Sequence, residues 1–393
     1  MQRRKLKGDR GVYKCHTIGT LQLSNFLEKL LFMKWIYSGT KGEGLMSNLK
    51  LVLWNMEWLD DLFSKDDQAV KFRPDDEKTA HSSGSTVKQR RDDLSGVLRE
   101  LNPDMVIVVE GPSRPGELQL FFDNIGQGTW VTDLQASSPK QTQNIGIAVR
   151  VDTNKFNNPP LHRWDTIKDS NFDPFLIDTD NDKIEEKHRF ERRPLHAEIY
   201  PAKGAPFRVL GLHLKSKGIF DAFEWSKWWE MADANRKKIL AQATHIHDVF
   251  IEPYLSDEPT KNTPLIVCGD INDGPGLDAS EKRLFGSAIE GLMGSIWKPG
   301  QALGNALFDA LKPKEKINLD FSSIHTTSFR DPIFNNVYQK EWIDHILYSK
   351  SPSSNWLCNA KVNRNMPDGI SIWKKYEHAS DHYPVSVEVT TTG

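Results

Sequence analysis

A chain of 393 residues with 38% hydrophobic and 10% aromatic residues is too apolar for a disordered protein, and three cysteines are too few for a disulfide scaffold. With 51 Lys/Arg against 53 Asp/Glu the net charge is −2, so any contact with nucleic acid must come from a local basic patch. The length suits two average domains or one large α/β domain.

The charge is uneven. Residues 1–45 carry nine Lys/Arg against three Asp/Glu, a net of +6, and the remainder carries 42 against 50, a net of −8. The first segment lacks the pattern of a packed element apart from a short helical candidate at 25–37. Its apolar run, Leu30-Leu31-Phe32-Met33, is broken by Lys34. That run is too short for a membrane span or a signal-peptide core, and no small-residue cleavage site follows. The expectation is a cytoplasmic protein without stable membrane association. Met46-Ser47-Asn48 leads straight into the first strand, so 1–45 reads as a basic extension, disordered or a mis-assigned start. A targeting or nucleic-acid-binding arm is the functional alternative.

From Leu49 onward short apolar runs alternate with helical periods. Leu49–Trp54, Met105–Val109, Ile145–Val149, Leu195–Tyr200, Phe207–Leu214, Leu265–Cys268, Ile343–Tyr348 and Pro384–Val389 have the length and β-branched content of strands. Val87, Leu94, Val97, Leu98 and Leu101 recur at helical spacing, and Pro103 stops that helix. A second helix is predicted from about Phe223 to Phe250, ending before Pro253. Its stripe of Trp225, Trp228, Trp229, Ile239, Leu240, Ala243 and Ile246 suits core packing better than base stacking. Polar, Gly/Pro-marked stretches at 64–86, 152–191 and 273–303 read as surface insertions. Asp178, Asp180 and Asp182 open like a calcium loop, but Lys183 and Arg189 occupy positions that such a loop gives to Gly and Glu. Cys15, Cys268 and Cys358 form no pair at metal or redox spacing, and Cys268 reads as a small buried hydrophobe.

The chemistry lies where the strands end. Trp54 runs into Asn55 and Glu57; Val109 into Glu110; Leu212 into His213, Lys215 and Lys217; Gly269 into Asp270 and Asn272. Asp344 and His345 open one strand, and Asp381 and His382 precede another. Strands of one sandwich can bring such ends to a single rim. Carboxylates gathered there stay ionised only when a cation neutralises them. Oxygen ligands without clustered Cys favour Mg²⁺ or Mn²⁺ over Zn²⁺. A His beside an Asp suggests an imidazole oriented by a carboxylate.

These motifs, in this order, resemble the endonuclease/exonuclease/phosphatase superfamily: Trp54-Asn55, Val109-Glu110-Gly111, Gly211 to Lys217, Gly269-Asp270-Ile271-Asn272, Trp342-Ile343-Asp344-His345 and Ser380-Asp381-His382. The resemblance spans residues 49–389. It implies a DNase I-like α/β fold over 46–393: a four-layer sandwich of two mixed β-sheets flanked by helices, with one site at the rim. It further implies that Glu110 is the principal metal ligand, helped by Asn55, Glu57 and Asp381. Asp270 and Asn272 would position the attacking water and the phosphate, or hold a second metal. His382 paired with Asp344 would be general base or phosphate-stabilising group, and His213 would contact the scissile phosphate. Lys215, Lys217, Arg192 and Arg193 are candidate phosphate contacts. His345 should point to the opposite face of its strand from Asp344 and be structural. His245 and His247 lie on the long helix and lack an acidic ligand partner at metal spacing, so they read as surface or core residues, and Trp342 reads as packing.

The activity so implied is metal-dependent phosphodiester hydrolysis by a nuclease of DNA or RNA. The His213-Leu214-Lys215-Ser216-Lys217 run resembles nuclease-like members, whereas Glu341-Trp342-Ile343-Asp344-His345 departs from the signature of the phosphoinositide branch. The acidic body keeps a small soluble or lipid-derived phosphoester in view, and a non-catalytic binding role is the third reading. No protein partner is indicated.

Overall fold

The computed structural model describes residues 47–66, 69–81, 84–137, 143–218, 224–275, 284, 286–318, 320–331, 337–350 and 356–391. The basic segment 1–45, its helical candidate and Cys15 lie outside the described residues. The strands, in chain order, begin with β1 (Ser47–Asn55), β2 (Met105–Gly111), β3 (Trp130–Gln135), β4 (Asn144–Arg150) and β5 (Phe156–Trp164). Then come β6 (Phe175–Ile177), β7 (Glu186–His188), β8 (Leu195–Pro201), β9 (Phe207–His213), β10 (Leu265–Asp270) and β11 (Leu303–Asn305). The last are β12 (Thr327–Asp331), β13 (Val337–Glu341), β14 (Asp344–Ser349), β15 (Leu357–Val362) and β16 (Val385–Thr391).

Twelve of these form two six-stranded mixed sheets, in the orders β15-β16-β1-β2-β4-β3 and β11-β14-β10-β9-β8-β5. Alternation along each strand builds the layers. In β1, Leu49, Leu51 and Leu53 join Ile107, Ile147, Ile199, Val209, Ile266 and Ile346 in the core between the sheets. Val52 and Trp54 face the other way, against helix α1 (Val87–Leu101) and helix α2 (Pro115–Asp123). On the far side Leu210, Leu212, Val267 and Leu347 pack against Ile239, Ala243 and Ile246 of helix α3 (Trp225–Ile246). The result is a four-layer helix–sheet–sheet–helix sandwich.

α1 begins at a capping box between Thr86 and Gln89 and ends at Asn102 in left-handed conformation just before Pro103. All five of its sequence-predicted apolar positions are buried. α3 opens at Trp225, although the side chains of Trp225 and Trp229 lie outside the description. The expected stop before Pro253 does not occur. A π-turn over His247–Ile251 absorbs the register and the chain re-enters a helix at Glu252–Ser256, with Pro253 in its first turn, where a missing N–H is tolerated.

A second departure concerns 152–191, which is not purely surface loop. β5 lies within it and forms the edge of the second sheet, where Pro159 and Pro160 are tolerated because no further strand needs their N–H. Cys268 is fully buried in the central core, and burial pushes its thiol up to about 12, as suits an inert small hydrophobe. Among the described residues no helix is long and apolar enough to cross a membrane.

Candidate active site

Topology explains why the polar strand ends meet. β1 and β2 are parallel, as are β9 and β10, and the antiparallel neighbours β14 and β16 begin at the edge where those strands finish. Asp270 pairs in register with His213 on one side and Asp344 on the other. Parity then turns these side chains inward. Asp270 continues the row of Ile266 and Cys268, His213 that of Phe207 and Val209, Asp344 that of Tyr348 and Ile346, and Asn55 that of Leu49, Leu51 and Leu53.

Glu110 breaks parity. Val109 faces the central core, so a regular strand would send Glu110 to the outer face. Instead Glu110 has φ 57°, and the β2–β4 register shifts between Val108 and Gly111. This bulge re-aims the carboxylate to the rim. Asn55 Nδ2 then donates to Glu110 Oε1 at 3.3 Å and to Asp270 Oδ2 at 3.0 Å, and the Trp58 amide donates to Glu110 Oε2 at 2.9 Å. Glu57, Trp58 and Asn272 also adopt positive φ, at 45°, 53° and 57°. Left-handed non-glycine residues are strained, and four of them gather at this rim. Glu57 lies beside the group, its amide bonded to Asn55 Oδ1 at 2.9 Å. The Asn272 amide donates to Asp270 Oδ1 at 2.9 Å, while its own Nδ2 is turned to the Leu214 carbonyl at 3.2 Å.

The histidines complete the rim. His382 Nδ1 donates to Asp344 Oδ2 at 2.7 Å, which leaves Nε2 facing Asp270 Oδ2 at 4.0 Å and Asp381 Oδ1 at 3.9 Å. His213 Nε2 lies 3.9 Å from both Glu110 Oε1 and Asp270 Oδ2. Burial alone would lower the His382 pKa, but the Asp344, Asp381 and Asp270 carboxylates raise it well above the ordinary value. Burial, then the nearby Arg192 and His382 charges, push His213 well below it. Burial and the Asp344 charge push Asp270 up to about 7. Asp381 is the most exposed member, its carboxylate open to solvent.

The four basic candidates divide. Arg192 is largely buried, donates from Nη2 to Gln143 Oε1 at 2.5 Å, and lies in the field of Glu110 and Asp270. Arg193, its neighbour before β8, points the other way: Nη1 donates to the Phe172 carbonyl at 2.5 Å and Nη2 pairs with Asp173 at 3.1 Å, away from the rim. Lys217 pairs with buried Asp273 at 2.8 Å. Lys215 donates to the Ser216 carbonyl at 2.9 Å, its pKa lowered by burial and by the Lys238 and Arg192 charges.

Several supporting residues escaped the sequence reading. Ser380 Oγ donates to the Asn55 carbonyl at 2.7 Å and accepts the His382 amide at 3.0 Å, tying the His382 loop to β1. Thr326 Oγ1 accepts the Ile343 and Asp344 amides at 3.2 and 3.1 Å. Arg90, buried in the first turn of α1, donates from Nη2 to the Met56 carbonyl at 3.0 Å. Only Ser380 carried a signal, as a hydroxyl beside the Asp-His pair. His345 faces away as expected: it is buried, with Nε2 donating to the Asp273 carbonyl at 2.9 Å and Nδ1 accepting from Asn305 Nδ2 at 3.2 Å. Trp342 is buried in the central core.

The donor set suits a divalent cation. It consists of hard oxygens around Asn55 and Glu110. Burial and the Asp344 charge hold Asp270 above the usual carboxylate range, and Asp344 Oδ1 is buried without a hydrogen-bond partner. The ligand atoms of Asp270, Asp344 and His382 also lie within 4.8 Å of one another. Because His382 Nδ1 already donates to Asp344, that trio reads as an oriented imidazole with a neighbouring acid rather than as a cage. Elsewhere, His247 does acquire acidic neighbours, contrary to the sequence expectation: the π-turn brings Asp248 and Glu252 within 4.8 Å of it. Lys298 pairs with Glu252 at 2.6 Å, and His247 itself with Asp248 at 3.1 Å. His245 stacks on Phe175 at 3.8 Å. Asp178, Asp180 and Asp182 also approach within 4.8 Å, with Asp180 paired to Lys237.

A four-layer α/β sandwich with these motifs converging on one rim resembles the DNase I-like endonuclease/exonuclease/phosphatase superfamily in architecture and in motif order. No family model matches the chain, and no curated protein matches it. Similar solved structures include an endonuclease/exonuclease/phosphatase family protein from Bacteroides thetaiotaomicron (14% identity, 89% of this chain and 97% of that one, TM-score 0.44). Another is D. rerio TDP2 complexed with single strand DNA product (13% identity, 87% and 98%, TM-score 0.43). A third is the human Nocturnin catalytic domain with bound sulfate anion (12% identity, 89% and 97%, TM-score 0.39).

Proposed function

We propose that the protein is a Mg²⁺- or Mn²⁺-dependent phosphodiesterase acting on DNA or RNA. The observation that carries this reading is the meeting of Asn55, Glu110, Asp270 and His213 with the Asp344–His382 pair at one rim. A phosphodiester is anionic and repels nucleophiles, so catalysis needs positive charge on the phosphate and a base for the incoming water. Asn55, Glu57, Glu110 and Asp381 would hold the metal, which when bound neutralises the phosphate and polarises the leaving oxygen. His382 Nε2, left open because Nδ1 is held by Asp344, takes the proton of the attacking water. The carboxylates that raise its pKa stabilise the imidazolium so formed. Asp270 and Asn272 orient the water and the phosphate. His213, kept neutral by burial, donates one hydrogen bond to a phosphate oxygen without adding a fixed charge. Among the basic candidates Arg192 lies in the field of Glu110 and Asp270, and it and Lys215, two residues beyond His213, would grip the next phosphate.

A second reading, hydrolysis of a small soluble or lipid-derived phosphoester, is favoured by one observation. Arg193 is committed away from the rim and Lys217 to Asp273, which thins the basic patch on a body of net −8. The experiment that separates the two is a substrate panel in Mg²⁺ and Mn²⁺: plasmid DNA, abasic duplex, RNA, bis-p-nitrophenyl phosphate, p-nitrophenyl phosphate, inositol phosphates and sphingomyelin. Cleavage of polynucleotide and diester is expected. Activity confined to monoesters would overturn the nuclease reading, and inactivity throughout with no metal binding would support a binding-only protein.

A further inference from the structure

The turn that carries Glu57 is strained and yet fully tethered. Glu57 and Trp58 are consecutive non-glycine residues in left-handed conformation, at φ 45° and 53°. All three amides of the turn are bonded: Met56 to the Val109 carbonyl at 3.0 Å, Glu57 to Asn55 Oδ1 at 2.9 Å and Trp58 to Glu110 Oε2 at 2.9 Å. The Met56 carbonyl is held from the other side by Arg90 Nη2 at 3.0 Å. Arg90 has no solvent exposure, and its Nε and Nη1 have no hydrogen-bond partner. Glu57, Asp61, Asp381 and Glu110 act on its charge, in that order. A buried guanidinium with two unsatisfied nitrogens is costly where packing alone is required, since an apolar side chain of like volume fills the same space.

We propose that Arg90 is a positioning residue, anchored on α1, that holds the Asn55–Trp58 turn so that Glu57 and Glu110 are in place for a divalent cation. The inference rests on the metal-dependent reading above. Arg90 acts through the Met56 carbonyl and touches neither substrate nor reacting atoms.

The sign of one measurement separates this role from plain electrostatics. A cation near the acids repels a metal, so removing a merely repulsive Arg90 tightens metal binding, and removing a positioning Arg90 weakens it. The test measures Mn²⁺ binding to the full chain by electron paramagnetic resonance, without substrate, alongside amide hydrogen exchange at Met56, Glu57 and Trp58 in EDTA. For Arg90→Met the expected result is Mn²⁺ affinity weaker by about tenfold or more, with faster exchange at those three amides. Arg90→Lys keeps a charge and a donor within reach of the carbonyl and is expected to recover affinity close to wild type. No recovery would mark the loss as general damage to the core and overturn the role. Mn²⁺ binding by Arg90→Met that is unchanged or tighter also overturns it. Should Arg90→Met fail to fold, Arg90→Leu, which also lacks a donor, carries the same comparison, weaker binding supporting the role and equal or tighter binding opposing it. A wild-type protein that binds no Mn²⁺ defeats the metal-dependent reading itself and with it this role, whereas wild-type binding that survives loss of Arg90 defeats the Arg90 role alone.

Discussion

Asp270 sits where a carboxylate is least at ease, wholly buried, beside Asp344 and within 4 Å of two imidazoles. Its folded pKa of about 7 lies above the unfolded value, so the folded state binds more protons and stability is lost as pH rises from the unfolded value through 7. His382 is also raised. Its contribution is fully present below its unfolded value, about 6.5, and is lost as pH rises through the higher folded value. Both effects make the metal-free protein weaker on the alkaline side. In EDTA the melting temperature is therefore expected to fall between about pH 5 and 8. Asp270→Asn should remove much of that fall and stabilise the pH 8 protein by on the order of 2 kcal/mol, read by thermal denaturation. A melting temperature for Asp270→Asn at or below wild type at pH 8 would contradict the burial argument. Catalysis has its own pH signature. As general base, His382 gives a rate that rises with pH through its raised pKa. His382→Ala should lower kcat by about 10²–10⁴-fold and abolish the rise. A rate that falls over that range would assign His382 the protonated, phosphate-stabilising role instead.

At the scale of elements, two local distortions build the site. The bulge in β2 turns Glu110 from the outer face to the rim, and the end of β10 is shaped by Gly269. At φ 153° a Cβ on Gly269 would sit 1.8 Å from the Leu212 carbonyl oxygen, a backbone atom of the paired strand. Gly269→Ala is accordingly expected to lose the native fold, monitored by circular dichroism. Gly300→Ala, with open space around the added methyl, should stay within about 1 kcal/mol of wild type. The same distortions mark what the sequence could not convey. Eight buried strands were legible because their apolar runs are continuous. β5, with its Asn157-Asn158-Pro159-Pro160 stretch, was not, since an edge strand needs no such run. Residue types at strand ends identified Asn55, Asp270, Asp344 and His382 as one group, and strand parity accounts for the common direction of Asn55, Asp270 and Asp344. Parity places Glu110 on the wrong face, however, and only its φ of 57° corrects it. Arg192 and Arg193 are equivalent in sequence and opposite in space, and both precede β8 in irregular chain where no strand period tells them apart. Arg90 was hidden in an amphipathic helix, where a charged residue reads as solvated surface.

For the whole molecule the governing number is charge. The body outside residues 1–45 carries −8, so duplex binding depends on few cations. With Arg192 and Lys215 as the phosphate grip, the affinity for an oligonucleotide should fall with salt at a log–log slope of only about −2, measured by fluorescence anisotropy. A much steeper slope would mean that further basic residues take part, the segment 1–45 among the candidates.

The central claim is that one rim performs metal-dependent diester hydrolysis, and its most direct test is the turnover of bis-p-nitrophenyl phosphate by wild type and Glu110→Gln, each in Mg²⁺, Mn²⁺ and EDTA. The expected result is wild-type turnover with either metal, none in EDTA, and a loss of about 10²-fold or more in Glu110→Gln together with weaker metal dependence. Turnover that persists in EDTA, or a Glu110→Gln protein as active as wild type, would contradict the claim.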